Sequence, residues 1–254
     1  MSEARAPTVL YPLALPALLR AVLTPQPGAA AATTLVVCSS RDVFLRQLLH
    51  ALESQDGPGS ESLQQLVAPT LLNLFTSRHV QVTFCASVQV LLAVLSAYGR
   101  QTSQHDTDGG QRLLIVNPLA LHAPTPSFSV QGLSRTFAAA VETARRVGAG
   151  LVVVECVGLL QTTRYHVDDE ELDLRGEPAA EAATDADEDP WEQEVSILNV
   201  SAKRFGSGGS ERAWAGRTVK VRKVLARWFQ FQHVDDHLHN RQEESSGNAP
   251  RSSR

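Results

Sequence analysis

Cysteine is scarce in this chain of 254 residues, and its three thiols, Cys38, Cys85 and Cys156, lie far apart, each in or beside an apolar run. That spacing supplies no CxxC pair for zinc and no disulfide framework; it points to reduced, buried thiols of an intracellular protein. No apolar run reaches the length of a membrane span. The N-terminal stretch Val9–Leu23 contains Pro12 and Pro16 and is interrupted by Arg20, so it reads as a helix packed on a domain rather than a signal peptide. A strong net charge is also missing: the formal value is −4, which does not mark a nucleic-acid binder by bulk charge.

What is present is enough apolar material, 43% of residues, for one substantial α/β domain with tails. Residues 33–38 (TTLVVC), 80–85 (VQVTFC), 113–116 (LLIV) and 151–154 (LVVV) read as strands, the last two as continuous apolar runs suited to a fully buried parallel sheet. Helical patterns separate them: a helix from Pro16 to Leu23 ended by Pro25-Gln26-Pro27-Gly28, then 42–53, part of 61–76, 88–98, and 132–147, the last with Arg145-Arg146 at its C-terminal end. This alternation predicts a mostly parallel twisted sheet with helices on both faces. Residues 1–32 form an N-terminal helix and linker, 33–232 the core, and 233–254 a polar, disordered tail. Val195–Phe205 and Thr218–Phe231 read as an antiparallel ribbon extending one edge, joined through the Gly/Ser segment 206–210.

Charge is segregated. Residues 168–194 are acidic with Arg175 as their one cation, and 203–227 are basic with Glu211 as their one anion. The stretch 161–190, acidic and Ala-rich, reads as a disordered insertion.

The connection between the strand 33–38 and the helix that follows is Ser39-Ser40-Arg41. A phosphate-binding loop needs glycines there, so that backbone N–H groups can approach, and a lysine to neutralise charge. Neither is present. The strand Leu113–Val116 ends in Asn117-Pro118, where a magnesium site would place an acidic residue; a neutral amide does not supply the charge magnesium favours. Two parts of an ATP site are thus missing together. No Ser–His–Asp or Cys–His nucleophile arrangement is evident.

The order of elements resembles the core of the RecA-like recombinase family, a P-loop NTPase fold. DVFLRQLLHAL resembles the helix after that family's phosphate loop, and RLLIVNPLALHAP resembles its magnesium-site strand, with Asn117 where an aspartate is usual. SVQGLSRTFAAAVETARRVGAGLVVVECV resembles the next helix and strand, and WEQEVSILNVSAKRF with GRTVKVRKVLARWFQF resembles the C-terminal strand pair. The resemblance covers roughly residues 33–232. Small non-catalytic members of the family resemble subunits of recombinase-paralogue complexes, including fungal Shu-type assemblies. It therefore implies a nuclear, non-catalytic subunit without cofactor. Other paralogues or the recombinase itself would be its protein partners, with single-stranded DNA a further one, in homologous recombination repair. Two alternatives stand beside it. One is an Elongator-type RecA-like subunit serving tRNA wobble-uridine modification. The other is an atypical NTPase in which Arg41 replaces the lysine.

The DNA-contact candidates are Lys203, Arg204, Arg212, Arg217, Lys220, Arg222, Lys223 and Arg227. In GRTVKVRKV, Lys220 and Arg222 alternate with Val219 and Val221, giving a strand with one cationic face that neutralises phosphates, or a solvated edge on which lysine blocks aggregation. Phe229 and Phe231 read as core, Trp228 as an interface or edge residue, and Trp191 and Trp214 as partner contacts. Glu155, after Val154, sits at a strand end that faces the ligand crevice of such a fold, either as a sensor-like carboxylate or as one hydrogen-bonded at the strand terminus. HVDDHLH (His233, His237, His239) has metal-binding residue types but no scaffold.

Overall fold

The computed structural model describes residues 6–23, 32–53, 68, 70–99, 111–157, 189–197 and 217–239. In chain order the elements are β1 (Thr8–Ala14), α1 (Leu15–Leu23), β2 (Thr33–Val37), α2 (Arg41–Glu53), α3 (Leu71–Ser77), β3 (Val80–Phe84), α4 (Val88–Ala97), β4 (Arg112–Val116), α5 (Pro118–His122), α6 (Val130–Val147), β5 (Gly150–Val157), a 3₁₀ turn (Pro190–Glu192), β6 (Glu194–Ser196), β7 (Thr218–Lys220), α7 (Val221–Leu225) and β8 (Gln230–Gln232). Six strands form one sheet in the order β3-β2-β4-β5-β1-β8, every pair parallel. β6 and β7 form a separate two-stranded antiparallel ribbon. The chain is thus α/β, with a parallel sheet flanked by helices, as its alternating pattern predicts.

Strand side chains alternate between faces, so the sheet divides the core in two. Val9, Val36, Leu113, Ile115, Leu151 and Val153 meet α4, α6 and α7 on one side. Leu10, Leu35, Val37, Leu114, Val116, Val152 and Val154 meet α1 and α2 on the other. This two-sided burial explains why β4 and β5 read as unbroken apolar runs. α6 is fixed at both ends. Ser129 Oγ accepts from Gly132 N at 3.1 Å at the start, and Gly148 adopts a left-handed conformation (φ 66°) at the end. Arg146 near that end donates to the carbonyls of Leu95 and Tyr98, satisfying the C-terminal turn of α4.

Four expectations change. The stretch from Val9 is not helical throughout: Thr8–Ala14 is a sheet strand between β5 and β8, and only Leu15 onward is helix. Pro12 is tolerated because the register with β5 shifts between Leu10 and Leu13, so its missing N–H falls at an irregularity of the ladder. The core therefore includes residues placed in an N-terminal linker. The ribbon is shorter than expected. β7 stops at Lys220 and the chain turns into α7, where Val221, Val224 and Leu225 bury helically spaced apolar groups. β8, not the ribbon, extends the sheet, pairing parallel with β1. Residues 233–239 are not a detached tail: His233 stacks on Tyr11 at 4.4 Å, residues 234–239 are helical, and Val234 and Leu238 line a cavity with Leu10 and Leu18. The expected insertion 161–188 and hairpin segment 206–210 lie outside the described residues.

Gly132 tests how tightly α6 is seated. A Cβ there would lie 2.1 Å from the backbone carbonyl oxygen of Ser127, whereas one at Gly148 would meet nothing within 4 Å. Gly132→Ala is predicted to cost about 1–3 kcal/mol in denaturant unfolding, as overpacking does. Gly148→Ala is predicted to cost only the left-handed strain, about 1 kcal/mol. The 2.1 Å approach places Gly132→Ala toward the upper end of its range, and a cost no larger than that of Gly148→Ala would contradict this seating.

Candidate functional site

Parallel strands end on one edge, and ligands of open α/β sheets bind there, where chains leave neighbouring strands toward opposite faces. β2 and β4 are such neighbours. β2 leads to α2, whose Phe44 packs on one side, and β4 leads to α5, whose Leu119 and Leu121 pack on the other. The two positions singled out in the sequence, Ser39-Ser40-Arg41 and Asn117, are therefore brought together. Val37 pairs with Val116, and Cys38 N donates to Val116 O at 2.9 Å.

Neither half is open to a phosphate. Ser40 Oγ accepts from Val43 N at 3.3 Å, so the start of α2 is capped by its own side chain, and Asp42 adds a negative charge in the first turn. Arg41 is exposed. The other described strand-to-helix junctions on this edge offer no alternative. β1 passes into α1 with no intervening residue, β3 reaches α4 through Cys85-Ala86-Ser87, β4 reaches α5 through Asn117 alone, and β8 reaches the helical residues 234–239 through His233. None contains glycine or lysine; the lysines of the chain are Lys203, Lys220 and Lys223.

The crevice is filled by two crossing side chains. Asn117 takes a left-handed conformation (φ 59°, ψ 43°), which Asn tolerates better than most residues, and Pro118 begins α5 directly after it. Asn117 N donates to Val154 O at 2.8 Å and its Oδ1 accepts from Cys156 N at 2.7 Å, so the side chain continues the β4–β5 ladder beyond the strand. Glu155 reaches back from β5: its Oε1 accepts from Leu119 N at 2.6 Å in the first turn of α5. Glu155 is fully buried, and its Oε2 has no hydrogen-bond partner. Burial pushes its carboxyl up to about 8, opposed by hydrogen bonds from the backbone of Leu119 and Ala120. At neutral pH it is a protonated acid enclosed in protein. Of the two readings of Glu155, the acid hydrogen-bonded at the strand end is the one the structure bears out.

The surrounding thiols are equally enclosed. Cys38, Cys85 and Cys156 are buried and free. Burial pushes all three thiols up, with Glu155 adding to the shift at Cys38 and Cys156, so none is a thiolate nucleophile. His122 is neutral for the same reason, its burial lowering its affinity for a proton. Its Nδ1–H faces the Ser127 carbonyl at 3.2 Å, leaving Nε2 to accept from Thr136 Oγ1 at 3.0 Å. A nucleotide–magnesium group does not fit these residues. The Asn117 oxygen is committed to Cys156 N–H, Glu155 is buried, and the Asp42 carboxylate stands in the first turn of α2 where a phosphate would bind. Among the described residues no group of His, Cys, Asp or Glu is arranged to hold a metal ion, those of HVDDHLH included.

The basic candidates are dispersed. Lys203, Arg204, Arg212 and Trp214 lie outside the described residues. Lys220 ends β7, but Arg222 and Lys223 belong to α7, so a single cationic strand face is not formed. Arg217 precedes β7, and Lys223 and Arg227 are exposed. Lys220 Nζ lies 2.8 Å from Glu192 Oε2 and Arg222 Nη1 3.3 Å from Glu192 Oε1. The two cations hold the Glu192 carboxyl below its ordinary range. Trp191, expected to contact partners, is wholly buried and donates from Nε1 to Leu10 O at 3.1 Å. Phe229 is core, edge-on to Phe137, while Trp228 is partly buried against the same core. Sequence reasoning missed Glu192 as a pairing residue, because the acidic run around it reads as solvated. It also missed α5, whose five residues are too short for a period.

Compared with protein-family models, curated proteins and solved structures, the chain matches none of them.

Glu155 supplies a pH test. The folded state keeps its proton up to about 8, and the unfolded chain releases it near the ordinary value of 4.5. Folding therefore takes up a proton between these values, and stability falls as pH rises through that window. Glu155→Gln keeps the acceptor for Leu119 N–H and removes the titration. Its melting temperature is predicted to vary less with pH over this range than that of the parent. Parallel curves would contradict a buried, protonated Glu155.

Proposed function

We propose that this chain is a non-catalytic RecA-like subunit of a hetero-oligomer that assists recombinase assembly on DNA in homologous recombination repair, in the nucleus. The observation that carries the non-catalytic part is the closed carboxyl edge. Asn117 Oδ1 and Glu155 Oε1 accept from backbone N–H groups where a nucleotide enzyme would present charge to magnesium. The described strand-to-helix junctions there lack the glycine and lysine that phosphate binding requires. The parallel six-stranded sheet with helices on both faces supports the RecA-like part. The pathway rests on the resemblance of RLLIVNPLALHAP, the α6–β5 segment and the C-terminal segments to recombinase paralogues. A fold of this kind that has lost its chemistry serves as a platform whose partners supply the ATPase.

Affinity purification of the tagged full chain tests the reading. Recombinase or recombinase-paralogue subunits are expected to co-purify. Recovery of Elongator subunits would overturn the pathway and favour tRNA-related work. The same preparation is expected to show no saturable binding of magnesium–ATP. Binding that is saturable and lost in Arg41→Ala would overturn the non-catalytic assignment.

A further inference from the structure

We propose that Lys220 and Arg222 form a seat for the phosphates of a nucleic-acid backbone, and that Glu192 is an internal anion occupying that seat. The inference rests on the reading above and names where and how such a subunit meets nucleic acid. The geometry is that of a bound anion: one Glu192 oxygen faces the Lys220 ammonium at 2.8 Å and the other faces the Arg222 guanidinium at 3.3 Å. Two cations divided between two oxygens of one acid is the arrangement a phosphodiester accepts equally well.

Arg222 is held in place independently of Glu192. Its Nη2 donates to Tyr11 Oη at 2.8 Å, and its guanidinium lies 5.0 Å from the Phe231 ring centre and 5.5 Å from that of Tyr11. Tyr11 belongs to β1 and Phe231 to β8, so the seat is built on the main sheet and persists when its anion changes. Glu192 is carried by the 3₁₀ turn that buried Trp191 anchors to Leu10. The contact is accessible, with side chains 53%, 42% and 38% exposed for Lys220, Arg222 and Glu192. Exposed ion pairs are weak. A strand offering consecutive phosphates, and releasing counterions as it binds, outcompetes a single carboxylate. Lys223 and Arg227 are exposed nearby in sequence, while Glu194, opposite Lys220 across the β6–β7 ribbon and bonded by the Thr218 hydroxyl, is a second carboxylate that acts on Lys220 and stays in place when Glu192 is replaced.

The test measures fluorescence anisotropy of a labelled oligo-dT strand with the full chain, its Glu192→Gln variant and Glu192→Gln/Lys220→Gln. Unchanged circular dichroism serves as the folding control. Glu192→Gln is expected to tighten binding at low salt by about two- to fivefold, the scale of one exposed ion pair. The salt dependence is expected to steepen by about one contacted phosphate. Adding Lys220→Gln is expected to abolish the gain. Inorganic phosphate at matched phosphate concentration is expected to compete poorly; equal competition would refute assignment to a nucleic-acid backbone. Equal affinity and salt slope in parent and Glu192→Gln, or no binding by either, would overturn the seat. Co-purified partners would still judge the subunit reading separately.

Discussion

The exchange of side chains between β4 and β5 is the constraint on which the carboxyl edge depends. Asn117 reaches forward to Cys156 N–H, and Glu155 reaches back to Leu119 N–H. Between them they satisfy backbone donors that a water-filled or ligand-filled crevice would otherwise serve. The left-handed turn at Asn117 lets α5 begin at once, and α5 in turn carries His122, whose ring joins the loop carbonyl of Ser127 to Thr136 of α6. One pair of polar side chains thus sets the exit of β4, the course of the loop and the seat of the longest described helix. A buried acid with one orphaned oxygen is costly to keep, and here it is kept for position.

A second tie joins the C-terminal segments to the start of the chain. Trp191 bonds to Leu10 of β1, Arg222 bonds to Tyr11, and β8 pairs with β1 through Gln230 to Gln232. β1 is therefore the interior strand that integrates both termini of the domain. The 3₁₀ turn at Pro190–Glu192 and the segment from β7 into α7 are both tied to it, so Glu192 and Lys220, distant in sequence, meet beside the β6–β7 ribbon.

Much of the α/β pattern was legible because it depends on periodicity. β4 and β5 are buried on both faces and spell continuous apolar runs; α6 has Ser129, Gly148 and a clean apolar stripe. The helix started by Pro16 was legible, but β1 before it was not, since the irregularity that accommodates Pro12 in a strand depends on a partner far away in sequence. At the site, Asn117 and Ser39-Ser40-Arg41 could be named because the missing residue types are local. A hydrogen-bonded role for Glu155 could be named from its place at a strand end, but its partner Leu119 could not, because that is defined only by the register of β4 with β5 and a turn of helix. The basic strand failed for a related reason: VKV alternates like a strand, yet burial of Val221, Val224 and Leu225 favours a helical turn.

Amide hydrogen exchange at Leu119 and Cys156, with and without magnesium–ATP, tests the closed edge most directly. Both amides are buried donors to side-chain oxygens in this account, so slow exchange that nucleotide leaves unchanged is expected. Rapid exchange at these two amides, or added protection there and at residues 39–43 when nucleotide is present, would contradict it.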